Sequence, residues 1–96
     1  FTEFILKETG ISYFNMGKHK LSLRVLLILK KLYTERVDQD SEKIHEYKRN
    51  FELINNYILQ LRKLLGDEIY IQYTEESESI NTGEIEKYVM ENCFER

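Results

Sequence analysis

Glu42 and His45 stand as a Glu-x-x-His pair on one face of a helical stretch, half of the carboxylate and imidazole set that holds two iron or manganese ions in a four-helix bundle. One pair is insufficient for that chemistry, because such a centre needs a second pair and two further carboxylates on facing helices, and a surface pair accounts for it. His19 lies between Lys18 and Lys20 at the start of a helix and is expected to be solvated. Cys93 is the only cysteine, so neither an internal disulfide nor a thiolate zinc cage can form. No histidine is near it in sequence, and it shares a side with Val89, which reads as a buried thiol rather than a nucleophile. The four glycines, Gly10, Gly17, Gly66 and Gly83, are isolated and build no phosphate-cradling loop. The expectation is a non-enzymatic chain with no metal and no cofactor.

The elements that carry these residues are helices. The 96 residues include no proline and no alanine, 42% are apolar, and 32% are charged with a net charge of −3. Abundant Leu, Ile, Glu and Lys without a helix breaker favour an all-α fold. The strongest apolar stretch, Leu21 to Leu29, is interrupted by Ser22 and Arg24 and falls far short of the roughly 20 residues a bilayer requires. One cysteine suits a reducing compartment, and a cytoplasmic location is the expectation. The chain opens on Phe1 with no initiator methionine and no leader, and is expected to begin inside a longer protein.

A first helix is predicted from Phe4 to Met16 with Thr2 as a cap, and Gly17 breaks it. A second runs from Lys18 to Thr34, apolar around so much of its circumference that it must be covered on more than one side. After the polar run Glu35 to Ser41, where Asp38, Asp40 and Ser41 can cap, a third helix begins near Glu42. Its apolar residues Ile44, Tyr47, Phe51, Ile54, Ile58, Leu61 and Leu65 alternate in steps of three and four, Leu53, Tyr57 and Leu64 widen the stripe, and Gly66 ends it. Glu68 to Thr74 reads as helix in preference to strand, and Glu75 to Ser79 as an acidic loop. Asn81 then caps a last helix to about Phe94, with Glu84 three residues on and Ile80 opposite Ile85 as a staple. The expected organisation is a helical hairpin over residues 1–36, a long amphipathic helix over 41–66 and a divergent helical tail over 67–96.

Within the hairpin, Gly10, Tyr13, Gly17, Ser22 and Leu26 place small residues where two helices touch and larger ones between them. This segment resembles a tetratricopeptide repeat, a pair of antiparallel helices of 34 residues. Leu29 departs from the pattern, since a small residue is usual there, and the proline that often follows is missing. Shifting by one repeat length puts Ile44 in the place of Gly10, so the third helix does not continue the motif. The resemblance implies a fragment of an α-solenoid, an array that binds proteins or peptides in a groove and seldom catalyses.

A second resemblance extends from Phe4 to Tyr57. Tyr13, Met16, Lys18, Ser22-Leu23, Tyr33, Asp38-Gln39, His45, Tyr47, Arg49 and Tyr57 are similar to a segment of the large auxiliary subunit of N-terminal acetyltransferase A. It is absent from Glu68 onward. It implies a non-catalytic scaffold that holds the acetyltransferase catalytic subunit near the ribosome; the acetyl-coenzyme A loop of a catalytic subunit is missing. The alternatives are a bacterial peptide-responsive regulator on the same repeats, or a structural helical-bundle interaction domain. In the regulator, Asn50, Asn55 and Asn56 would bond an extended peptide backbone, although solvation is the simpler account of them. Lys18, Lys20 and Arg24 are the basic candidates for contact with a partner, as is Lys30-Lys31. The acidic run Glu75, Glu76, Glu78, Glu84 and Glu86 argues against direct nucleic-acid binding by the C-terminal part.

Overall fold

The computed structural model describes residues 2–37 and 44–80, together with 84, 87 and 91. These residues form four helices: α1 (Thr2–Asn15), α2 (His19–Val37), α3 (Ile44–Leu65) and α4 (Asp67–Ser79). No strand occurs among the described residues, and no helix among them is long and apolar enough to cross a membrane. The caps expected at Asp38, Asp40 and Ser41, Glu42 of the Glu-x-x-His pair, and the last helix with its Asn81 cap, Val89 and Cys93 lie outside the described residues.

The turn between α1 and α2 is built by Gly17. Its φ of +79° is left-handed, a conformation that glycine adopts without a Cβ clash. The Gly17 N–H donates to the Phe14 carbonyl at 3.1 Å and the Lys18 N–H to the Tyr13 carbonyl at 2.9 Å. This pair of bonds closes the end of α1 as a Schellman motif and sends α2 back along it.

α2 is the centre of the molecule. Leu23, Val25, Leu26, Leu27, Ile28, Leu29, Leu32 and Tyr33 are all buried, and α1, α3 and α4 each pack on it. The cover that so apolar a helix requires is therefore supplied by this chain itself. α1 contributes Leu6 and Tyr13; α3 contributes Ile54, Ile58 and Leu61, with Tyr47, Phe51 and Leu65 packed alongside. Two residues expected to widen the α3 stripe stand outside it: Leu53 is 38% exposed and Leu64 59%.

Glu75 to Ser79 is not a loop but the second half of α4. The side chains that suggested a loop turn back onto their own helix. Thr74 donates to the Tyr70 carbonyl at 2.7 Å, Ser77 to Thr74 at 2.8 Å and Ser79 to Glu76 at 2.7 Å, so none of the three competes with the helical backbone for its donors.

α1 and α2 meet at their closest where Gly10 faces Leu26. The Ser22 hydroxyl, fully buried, donates to the Gly10 carbonyl at 2.7 Å. A Cβ on Gly10 would lie 2.6 Å from Leu26 Cδ2 and 2.8 Å from Leu26 Cγ. Overpacking of this kind costs about 1–3 kcal/mol, while replacing a helical glycine by alanine returns about 0.5–1 kcal/mol. Gly10→Ala is therefore expected to destabilise by about 1–2 kcal/mol in urea unfolding. Against a Leu26→Ala background the clash is gone, and the same substitution should stabilise; a cycle without that change of sign would mean the two helices are not in this contact.

Candidate protein-binding face between α1 and α3

α1 and α3 run in the same direction. Lys7 Nζ donates to Asn50 Oδ1 at 3.4 Å across a separation of 43 residues. The rings of Phe14 and Tyr57, separated by the same 43 residues, meet edge to face at 5.0 Å. α2 runs the other way, with Lys30 5.7 Å above the Phe51 ring and the Tyr33 and Tyr47 rings 5.8 Å apart.

Helical spacing extends each of these contacts into a strip. Phe4, Lys7, Ile11 and Phe14 follow one another at intervals of three and four on α1, and Asn50, Leu53, Tyr57 and Leu64 at three, four and seven on α3. Phe4 is 64% exposed on the α1 strip, and Leu53 and Leu64 are exposed on the α3 strip. The result is an apolar surface with an ammonium and an amide set in it. It can take up apolar side chains and orient a polar group, and it carries no nucleophile paired with a base.

Of the candidate partner-binding residues Lys18, Lys20, Arg24, Asn50, Asn55 and Asn56, only Asn50 belongs to this face. Successive residues of a helix are turned by about 100°, so Asn50, half-buried Asn55 and exposed Asn56 point in different directions and line no common groove. The basic residues are likewise dispersed. Lys18 precedes α2, its carbonyl accepting the Ser22 N–H at 3.0 Å, and Lys20 is exposed. Arg24 turns toward α4, its guanidinium 4.8 Å from the Tyr73 ring centre and its Nε 3.6 Å from Glu76 Oε1. His19, expected in solvent, is half-buried and meets the Phe14 ring at 5.8 Å. Gly10, Tyr13, Gly17, Ser22 and Leu26 all lie in the α1 and α2 hairpin described above. His45 is exposed, and no group of three or more His, Cys, Asp and Glu among the described residues is placed to hold a metal ion.

Phe4, Lys7, Leu53 and Tyr57 were not legible as a set. Their placement on one face depends on the 43-residue offset between α1 and α3, and the sequence signal for it is the apolar spacing of each strip.

A concavity of about 300 Å³ lies between α2 and α4, lined among others by Leu27, Lys30, Thr34, Tyr70 and Thr74. Its volume is at the lower limit for small-molecule sites. Where α3 meets α4, Arg62 Nε donates to Asp67 Oδ1 at 2.8 Å, and the guanidinium sits 4.7 Å from the Tyr70 ring centre. The hydrogen bond and charge of Asp67 push the Arg62 pKa further above its ordinary value, so the joint keeps its cation at any working pH.

Comparison with protein-family models, curated proteins and solved structures found no match to this chain.

Proposed function

We propose that this chain is a non-catalytic protein-binding segment of the helical-repeat kind, which engages its partner through the face between α1 and α3. The observation that carries the reading is the exposure of Phe4 and Leu53 on that face, each three residues from the Lys7 and Asn50 bond. A strip of large apolar side chains around a few polar groups is the composition of the centre of a protein interface.

Two features support the repeat reading: the close approach of Gly10 and Ser22, and the alternation in which α1 and α3 run parallel with α2 antiparallel between them. The resemblance to the acetyltransferase auxiliary subunit supplies the specific partner, an N-terminal acetyltransferase catalytic subunit bound at the cytoplasmic ribosome. The peptide-regulator alternative loses support, since Asn50, Asn55 and Asn56 share no face.

The test is recovery of the partner with the tagged full-length protein and with its Phe4→Glu and Leu53→Glu variants. Both side chains are exposed, so folding is expected to weaken by only about 1 kcal/mol, while binding falls at least about tenfold for each. Recovery that is indifferent to both changes overturns the face. Recovery of some other protein, sensitive to both, retains the face and removes the acetyltransferase.

A further inference from the structure

We infer that α4 is a displaceable strap over α2, latched at its C-terminal end by Lys31. Among the described helices, α4 follows its predecessor after a single residue: α3 ends at Leu65, α4 begins at Asp67, and Gly66 between them has a φ of +93°. Among the described residues of α4, Ser77 alone is buried. Ile69, Tyr70 and Tyr73 pack only partly against the core, and the cleft of about 300 Å³ separates part of α4 from α2. The apolar attachment of α4 is thus partial, through Ile69, Tyr70 and Tyr73, with Ile80 just beyond its end.

Polar contacts supply the rest: Arg62 of α3 holds Asp67 and Tyr70 near the Gly66 end, and α2 holds the remainder. Arg24 reaches Tyr73 and Glu76 near the middle of α4. Lys31 Nζ donates to the carbonyls of Ser77 at 3.2 Å, Glu78 at 3.0 Å and Ile80. The last turn of a helix leaves its carbonyls without partners and carries partial negative charge. α4 has no basic residue in its own last turn, so the cation that satisfies this end comes from α2. Removing one ammonium therefore removes three hydrogen bonds and the charge that complements the helix end, all at the point farthest from the Gly66 joint.

A segment with few buried apolar contacts and a localised polar latch opens separately from the core it covers. Underneath lies Leu27, buried on α2 and lining the cleft. Opening of the strap would expose that apolar surface without unfolding α1, α2 or α3.

Native-state amide hydrogen exchange on the unmodified protein tests this directly. The amides of Tyr70 to Ser79 are expected to exchange at least tenfold faster than those of Leu26 to Leu32, by an opening whose denaturant dependence is well below that of global unfolding. Lys31→Met should raise α4 exchange a further tenfold and leave α2 within about twofold, and Lys31→Arg should restore most of the protection. Equal protection of α4 and α2 in the unmodified protein overturns the proposal, as does an equal increase in all four helices on Lys31→Met. If Lys31→Met does not fold, the denaturant dependence in the unmodified protein decides alone.

Discussion

Leu29→Ala is expected to lower the unfolding free energy by about 2–5 kcal/mol, the range for deleting a buried leucine side chain whose surroundings cannot fully collapse. Leu29 has no exposed surface and sits in the central helix among Leu26, Ile28 and Leu32. For a domain of this size the loss amounts to a melting temperature lower by at least about 10 °C. The position makes the result informative beyond its size. A small residue at Leu29 would bring the sequence closer to the tetratricopeptide pattern, so a pure reading of the motif predicts tolerance, whereas the packing around α2 predicts the opposite. Leu29→Met, which keeps the volume, should cost less than about 1.5 kcal/mol. Leu53→Ala, on the rim, should cost about 1 kcal/mol or less. A Leu29→Ala variant as stable as the parent would mean that α2 is not covered on this side.

Gly66→Ala is expected to be the most damaging change at any glycine of the described helices' joints, at about 1–3 kcal/mol. With φ +93° and ψ 161°, Gly66 occupies a region of backbone space essentially closed to residues with a Cβ. Nothing lies within 4 Å of the place a methyl group would take, so the cost is entirely conformational. The chain can escape the strain by rotating Gly66 to negative φ, but with one residue between the helices that rotation swings all of α4 and parts Lys31 from its carbonyls. Chemical denaturation should therefore show a lower midpoint together with a shallower slope, because less surface remains to be exposed when α4 is already off. Semisynthesis with D-alanine at position 66, which favours positive φ, should recover both. Equal stability of the L- and D-alanine proteins would show that the joint adopts another conformation.

Periodicity made most of the helices legible. The three-and-four spacing of Ile54, Ile58 and Leu61 follows from which side of α3 is covered, and Gly17 and Gly66 mark the joints before α2 and α4 because their conformations demand glycine. Periodicity was silent about the rim. Leu53 and Leu64 flank the same stripe, and whether a flanking leucine is inside depends on how far the neighbouring helix reaches, a tertiary quantity. Composition misread the end of α4 for a related reason. Glu and Ser near a chain reversal suggest a loop, but here the charge that stabilises the helix end arrives from Lys31, 46 residues from the Ser77 carbonyl it binds. The candidate face was legible only in pieces. Asn50 was marked for its amide; Lys7, 43 residues away, became its partner only through the register of the whole bundle.

The burial of α2 on three sides also bears on the order in which the chain can be made. The hairpin of α1 and α2 is complete in sequence first and closes only the side of α2 that bears Ser22 and Leu26. The surface around Leu27, Lys30 and Tyr33 stays bare until α3 and α4 have been synthesised. A nascent chain paused between the two halves presents that leucine-rich surface to its surroundings, the condition under which chaperones are recruited and partial folds aggregate.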